Sequence, residues 1–168
     1  MDSDFAEFVQ GQSGRLLRTA FLLTGDRGHA EDLVQEVLER VYVKWRSIRT
    51  SPAAYARRAL VHAATNRWRA RGRRPEAPLP ERDYLGSPDH AETYATQDAV
   101  VRALATLPAR QRAVLVLRYL DDLSEQDTAA VLGCSAGTVK SQASRGLARL
   151  RELLSLPEND FTGARNEC

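Results

Sequence analysis

A chain of 168 residues with 43% hydrophobic, 27% charged and only 7% aromatic residues fits one ordinary domain or two small ones, and suits small helical units better than a broad β core. No stretch approaches the roughly 18 consecutive apolar residues of a membrane span, and the opening MDSDFAEFVQ is acidic where a signal peptide is basic, so a cytoplasmic chain without a membrane partner is expected. The two cysteines, Cys134 and Cys168, fall in a predicted turn and at the terminus, which argues against a disulfide framework.

The net charge of +2 conceals its distribution. Residues 1 to 74 hold 14 Lys/Arg against 8 Asp/Glu, residues 75 to 98 hold 1 against 6, residues 99 to 156 hold 8 against 5, and residues 157 to 168 hold 1 against 3. Two basic lobes therefore flank an acidic connector.

The first predicted helix lies in DFAEFVQGQSGRLLRTAFLLTG, where Phe5, Phe8, Val9, Leu16, Ala20 and Leu23 return at near-helical spacing. Gly11 and Gly14 are expected to weaken its middle. Gly25 reads as its stop and Asp26 as the cap of the next helix.

In HAEDLVQEVLERVYVKW, Leu33, Val37 and Val41 form one i, i+4 row, with Val34, Leu38 and Trp45 beside it. The opposite face presents Asp32, Gln35, Glu36, Glu39 and Arg40. On patterning alone, such a face is a solvated surface.

SPAAYARRALVHAATNRWRARGRR then predicts a helix entered through Ser51 as cap and Pro52 as first-turn residue. Tyr55, Ala59, Leu60 and Ala63 can face inward, while Arg57, Arg58, Arg67, Arg69, Arg71, Arg73 and Arg74 carry charge. Trp68 lies among the arginines, and two readings fit it: core packing, or a stacking platform in a basic run that holds single-stranded DNA.

PEAPLPERDYLGSPDHAETYA, residues 75 to 95, holds four prolines and shows no apolar period, so a Pro-rich acidic linker is expected there. After it, Val100, Val101, Leu104 and Leu107 form one inward row, Pro108 breaks the helix, and Val114, Leu115, Leu117 and Leu120 form another. The expected architecture is all-α: two small helical domains, residues 1 to 74 and 96 to 156, with a linker between them and a short polar tail from 157 to 168.

LSEQDTAAVLGCSAGTVKSQASRGLARLRELL, residues 123 to 154, reads as a short helix, a tight turn and a longer basic helix. Ser124 with Asp127 approximates a capping box, Ala129 is small where two helices approach, Gly133 permits positive φ, and Ser135 caps the second helix. Val139, Ala143, Leu147, Leu150 and Leu154 form the buried row; Thr138, Lys140, Ser141, Ser144, Arg145 and Arg149 face out. In a helix-turn-helix, that face enters a DNA major groove. Lys140, Ser141, Ser144 and Arg145 are the candidates for base edges, with Arg149, Ser135 and Thr138 completing the DNA-facing set.

These motifs together resemble the bacterial sigma-70 family. AEDLVQE resembles its polymerase-binding helix, which implies that Asp32, Gln35 and Glu36, with Glu39 and Arg40 on the same face, meet the clamp coiled coil of the largest subunit of core RNA polymerase. Ser51 to Arg74 resembles the segment that grips the minus-10 promoter element, which implies roles for Tyr55, Arg58, His62, Asn66, Arg67, Trp68 and Arg69. His62 and Asn66 stand where the family pattern has Asn and Asp, so the base-reading positions depart while the scaffold agrees. The helix-turn-helix resembles the family's region 4, which reads the minus-35 element; Thr128 replaces the common Ile.

Two lobes without further regions resemble the extracytoplasmic function group, in its short actinobacterial SigE-like branch. The resemblance implies a sigma factor that binds core polymerase and directs initiation at promoter DNA, with an anti-sigma protein as a candidate further partner. Response-regulator output domains share a similar helix-turn-helix, so the alternative is a free-standing transcriptional regulator. An all-helical first half separates the two, because a receiver domain needs alternating strands. The scattered His29, His62 and His90 and the absence of a phosphate loop make no case for an enzyme, a cofactor or a metal.

Overall fold

The computed structural model describes residues 2–72 and 91–154, and among them the chain is helical with no strand. Helices α1 (Asp2–Thr24), α2 (Arg27–Lys44) and α3 (Pro52–Gly72) form an N-terminal lobe. Helices α4 (Ala91–Thr106), α5 (Ala109–Leu115), α6 (Glu125–Leu132) and α7 (Ala136–Leu154) form a C-terminal lobe, in which a π-helical turn, Val116–Leu120, continues α5.

α1 runs unbroken through Gly11 and Gly14, and it packs along α2. It stops at Gly25, whose φ of 71° suits glycine and whose N–H bonds the Phe21 carbonyl at 2.7 Å. Asp26 Oδ1 then accepts from the His29 N–H at 2.7 Å, capping α2. Leu33, Val37 and Val41 are wholly buried, and Phe5, Phe8, Tyr42 and Trp45 close the far end of the lobe, with Phe5 5.3 Å from Trp45 in an edge-on contact.

Ser51 Oγ accepts from the Ala54 N–H at 3.4 Å, and Pro52 starts α3 as expected. Its buried row, Ala56, Leu60, Val61 and Ala64, is displaced from the expected one: Tyr55, Ala59 and Ala63 are only half-buried. The reason is that α3 is packed from two sides, against α1 and α2 and also against α5 and α6 of the other lobe.

Of the expected linker, residues 75–90 lie outside the described residues; residues 91–95 begin α4 instead. Pro108 separates α4 from α5. The π turn widens the next coil, and Leu120, expected inward, is 39% exposed because i→i+5 bonding, as from the Asp121 N–H to the Val116 carbonyl, replaces i→i+4 and rotates the side chains at its end out of the α-helical register. Ser124 caps α6, accepting from the Asp127 N–H at 3.0 Å. Gly133 adopts φ 66° and ends it. Ser135 Oγ accepts from the Thr138 N–H at 3.1 Å to start α7. Val139, Ala143, Leu147 and Leu150 are buried, and Leu154 partly so. A Cβ on Gly146 would lie 3.0 Å from Leu115 Cδ1, so the missing side chain sets the approach of α7 to α5.

Candidate nucleic-acid and polymerase interface

Two outward faces collect the sequence-predicted residues. On α2, burial of Leu33, Val37 and Val41 on one side forces Asp32, Gln35, Glu39 and Arg40 outward, with Glu36 half-buried. Glu36 is held twice: Arg40 Nη2 donates to Oε1 at 2.8 Å and Arg67 Nη2, from α3, to Oε2 at 2.9 Å. Both pairs are solvent-accessible and contribute little to stability. They do tie the acidic face of α2 to the basic end of α3. Gln35 and Glu39 also border an apolar groove of about 650 Å³ between α1 and α2, walled by Phe5, Val9, Leu17 and Leu38.

On α3, Arg58, His62 and Asn66 are exposed at i, i+4 and i+8, one stripe along the helix, and Tyr55 sits half-buried at its start. Arg58 has no intramolecular partner among the described residues. Arg67 lies off this stripe, turned toward Glu36. The side chains of Trp68 and Arg69, including the choice between core packing and stacking for Trp68, lie outside the described residues.

On α7, Lys140, Ser141, Ser144, Arg145 and Arg149 are exposed on the side opposite Val139, Ala143, Gly146, Leu147 and Leu150. Lys140, Arg145 and Arg149 are exposed and have no partners among the described residues. Ser135 and Thr138 are engaged in building the helix: their hydroxyls lie 2.9 Å apart, and the Ser141 hydroxyl donates to the Thr138 carbonyl at 3.1 Å. An α7 held by its buried row, with exposed cations and short hydroxyls outside, can sit in a major groove and meet both phosphates and base edges. Cys134 packs partly buried beside this turn, as a small apolar residue would.

Sequence patterning missed a set of buried polar residues. Arg112, 1% exposed, donates to the carbonyls of Leu104 at 2.6 Å, Ala105 at 2.7 Å, Leu107 at 3.1 Å and Leu23 at 2.7 Å. Burial pulls its guanidinium down to about 10, so it stays charged at neutral pH. Asp121, 4% exposed, accepts from the Thr19 hydroxyl at 3.1 and 3.3 Å, with Arg15 at 3.9 Å and Arg57 at 3.7 Å. An arginine within the apolar run of α5 and an aspartate after it were the available signals; neither reveals its partner on the other lobe, Leu23 at 89 residues from Arg112 and Thr19 at 102 residues from Asp121.

Among the described residues no helix is long and apolar enough to cross a membrane. The family model for Sigma-70 region 2 matches residues 8–74, and that for Sigma-70, region 4 matches residues 97–150. The RNA polymerase sigma-E factor of Streptomyces coelicolor is 38% identical over 98% of this chain and 93% of its own length. The ECF RNA polymerase sigma factor SigM of Mycobacterium tuberculosis is 34% identical over 89% of this chain and 76% of its own length. Among solved structures, the sigma factor RpoE in complex with the anti-sigma factor NepR from Bartonella quintana superposes with a TM-score of 0.71 at 31% identity, covering 91% of this chain and 98% of that one. CnrH in complex with the cytosolic domain of CnrY shares the fold, with a TM-score of 0.67 at 21% identity over 92% of this chain and 90% of that one. With helices throughout the described part of its first half and both regions matched, the chain belongs to the sigma-70 family, as an extracytoplasmic function RNA polymerase sigma factor.

Proposed function

We propose a division of labour among the faces just described. The polar face of α2, Asp32, Gln35, Glu36, Glu39 and Arg40, docks on the clamp coiled coil of core polymerase. The α3 stripe of Tyr55, Arg58, His62 and Asn66, with Arg67, Trp68 and Arg69 beyond it, holds the melted minus-10 strand. On α7, Lys140, Ser141, Ser144 and Arg145 read the minus-35 element, while Arg149, Ser135 and Thr138 position its backbone. Residues 1 to 74 thus serve polymerase and the minus-10 element, the stretch from 75 to the start of α4 connects, and α4 onward to 156 serves the minus-35 element.

The observation that carries this reading is the set of exposed cations on α7, Lys140, Arg145 and Arg149, each on a helix side whose opposite is locked into the core. An exposed cation on such a face suits phosphate neutralisation, and each lobe alone supplies few of them. Core polymerase, by fixing both lobes, converts two weak contacts into one specific one through effective concentration. In this role the protein catalyses nothing itself, acts in the cytoplasm, and leaves bond formation to the polymerase. The neighbour solved with an anti-sigma factor supports a partner of the same class for this chain.

Glu36→Lys tests the docking face. It should abolish co-purification with core polymerase while leaving the helical circular dichroism and unfolding midpoint nearly unchanged, since Glu36 makes only accessible ion pairs. Undiminished association would reject the α2 assignment.

A further inference from the structure

On the outward face of α2, Asp32, Glu39 and Arg40 stand exposed, whereas Glu36 is half-buried on the side where α2 packs against α3. Its carboxylate is bound at both oxygens and from two helices. Arg40, one turn on along α2, donates from Nη2 to Oε1 at 2.8 Å, and Arg67, 31 residues away on α3, donates from Nη2 to Oε2 at 2.9 Å.

The fold gains little from the second bond. The Arg67 and Glu36 side chains are 42% and 38% exposed, and an ion pair between flexible side chains at that exposure adds little stability. α2 and α3 are already joined through one apolar core, by Leu33, Val37 and Val41 on one helix and Ala56, Leu60, Val61 and Ala64 on the other.

What the two bonds fix is the carboxylate itself. A glutamate has three rotatable bonds, and the last of them, from a tetrahedral to a planar carbon, has no sharp preference. A bond to Oε1 from the same helix leaves the group free to swing about that contact. A bond to Oε2 from a second helix sets its plane as well. A carboxylate offers about four lone-pair sites, so acceptor capacity remains for a donor that a partner brings. The place of Arg67 agrees with this use: one residue past Asn66, it lies about 100° around α3 from the Arg58, His62, Asn66 stripe, on the side that meets α2.

Charge alone gives Arg67 no reason to assist docking. Asp32, Glu36 and Glu39 outnumber Arg40 on this face, so the partner it attracts is basic, and a further arginine weakens that attraction. A contribution from Arg67 must therefore come from order, which shows in the lifetime of a complex rather than in its rate of formation.

We infer that Arg67 is a positioning residue for the docking of core polymerase, acting through Glu36, whose carboxylate it holds ready on the α2 face; this role is separate from its place beside the minus-10 strand. The inference rests on the proposed docking of that face. Ordering one rotamer-rich side chain on binding ordinarily reduces affinity by about 2- to 12-fold. With Glu36 ordered beforehand, that reduction is absent.

The test measures association and dissociation of the full-length protein with sigma-free core polymerase, without DNA, so that no phosphate contact of Arg67 enters the reading. Arg67→Ala should weaken the complex by about 2- to 12-fold, with the loss in the dissociation rate and the association rate unchanged or raised. Arg67→Lys keeps the charge but replaces a planar fork by a point donor, and should retain part of the affinity. Glu36→Ala should weaken binding further than Arg67→Ala does, and combining the two should add nothing to Glu36→Ala, as for residues that act as one. Helical circular dichroism and the unfolding midpoint should match the wild type in every variant.

Arg67→Ala binding like the wild type beside a weakened Glu36→Ala would overturn the inference and keep the docking reading. A loss from Arg67→Ala that is equal with and without Glu36 would also overturn it, because Arg67 would then touch the polymerase itself. So would a loss confined to the association rate, the mark of charge rather than order. Glu36→Ala binding like the wild type would remove the docking reading and the inference with it.

Discussion

Replacing Arg112 by methionine keeps most of the buried stem and removes every donor. Four carbonyls, of Leu104, Ala105, Leu107 and Leu23, then lose the guanidinium, and Leu104 keeps only the Leu107 N–H at 3.1 Å. Each bond from a charged donor contributes about 1.5–3 kcal/mol, but the guanidinium also costs several kcal/mol to bury. The carbonyls belong to the ends of α4 and α1, where they have few alternative donors. The net loss should be about 3–5 kcal/mol, a large share of the roughly 5–15 kcal/mol by which a domain is stable. At about 2–4 °C per kcal/mol for a chain of this size, the unfolding midpoint should fall by on the order of 10 °C. Guanidinium denaturation at pH 7 would measure it, with an unchanged m-value indicating the same unfolding transition. Arg112→Lys should fall between, because one compact ammonium cannot span four carbonyls. A loss below about 1 kcal/mol for Arg112→Met would show that water satisfies these carbonyls and that the network is not structural.

Other substitutions probe the packing and the DNA face. Thr128, wholly buried, has a hydroxyl with no partner among the described residues, so Thr128→Val should raise stability by about 1 kcal/mol in the same denaturation assay. Gly146→Ala would press a Cβ to 3.0 Å from Leu115 Cδ1 and should destabilise by about 1–2 kcal/mol, whereas Gly11→Ala, with nothing within 4 Å, should stabilise by roughly 0.5–1 kcal/mol in thermal unfolding. With core polymerase present, Arg145→Ala should cost about 1–3 kcal/mol of discrimination at one minus-35 position in competition binding. Arg149→Ala should weaken all sequences alike and reduce the salt slope by about 1.

The helices and their caps were legible because they rest on local chemistry. Asp26, Ser51, Ser124 and Ser135 each sit before an apolar period and accept from the N–H three residues on, while Gly25 and Gly133 take positive φ where helices end. The outward faces of α2 and α7 followed from the same period, because once Leu33 or Val139 is inside, its opposite residues must be outside.

Contacts between distant segments were not legible. The row expected on α3 was displaced because α5 and α6 cover a second side of that helix, a partner that periodicity within α3 cannot reveal. Leu120 moved outward because a π turn shifts the register of one coil, and Asp121 just after it accepts from Thr19 on the other lobe, a contact equally hidden in the sequence. Arg112 illustrates the same limit: in sequence it is one more charge beside an apolar run, and its four carbonyls become a site only when α1 and α4 end beside it.

Transcription by core polymerase, free of other sigma factors and mixed with this protein on a library of genomic fragments, tests the central claim most directly. The account predicts discrete start sites, each preceded by two shared motifs at a fixed spacing, lost with Glu36→Lys and altered in the upstream motif by Arg145→Ala. Initiation without a shared pair of motifs, or none above the level of core polymerase alone, would contradict it.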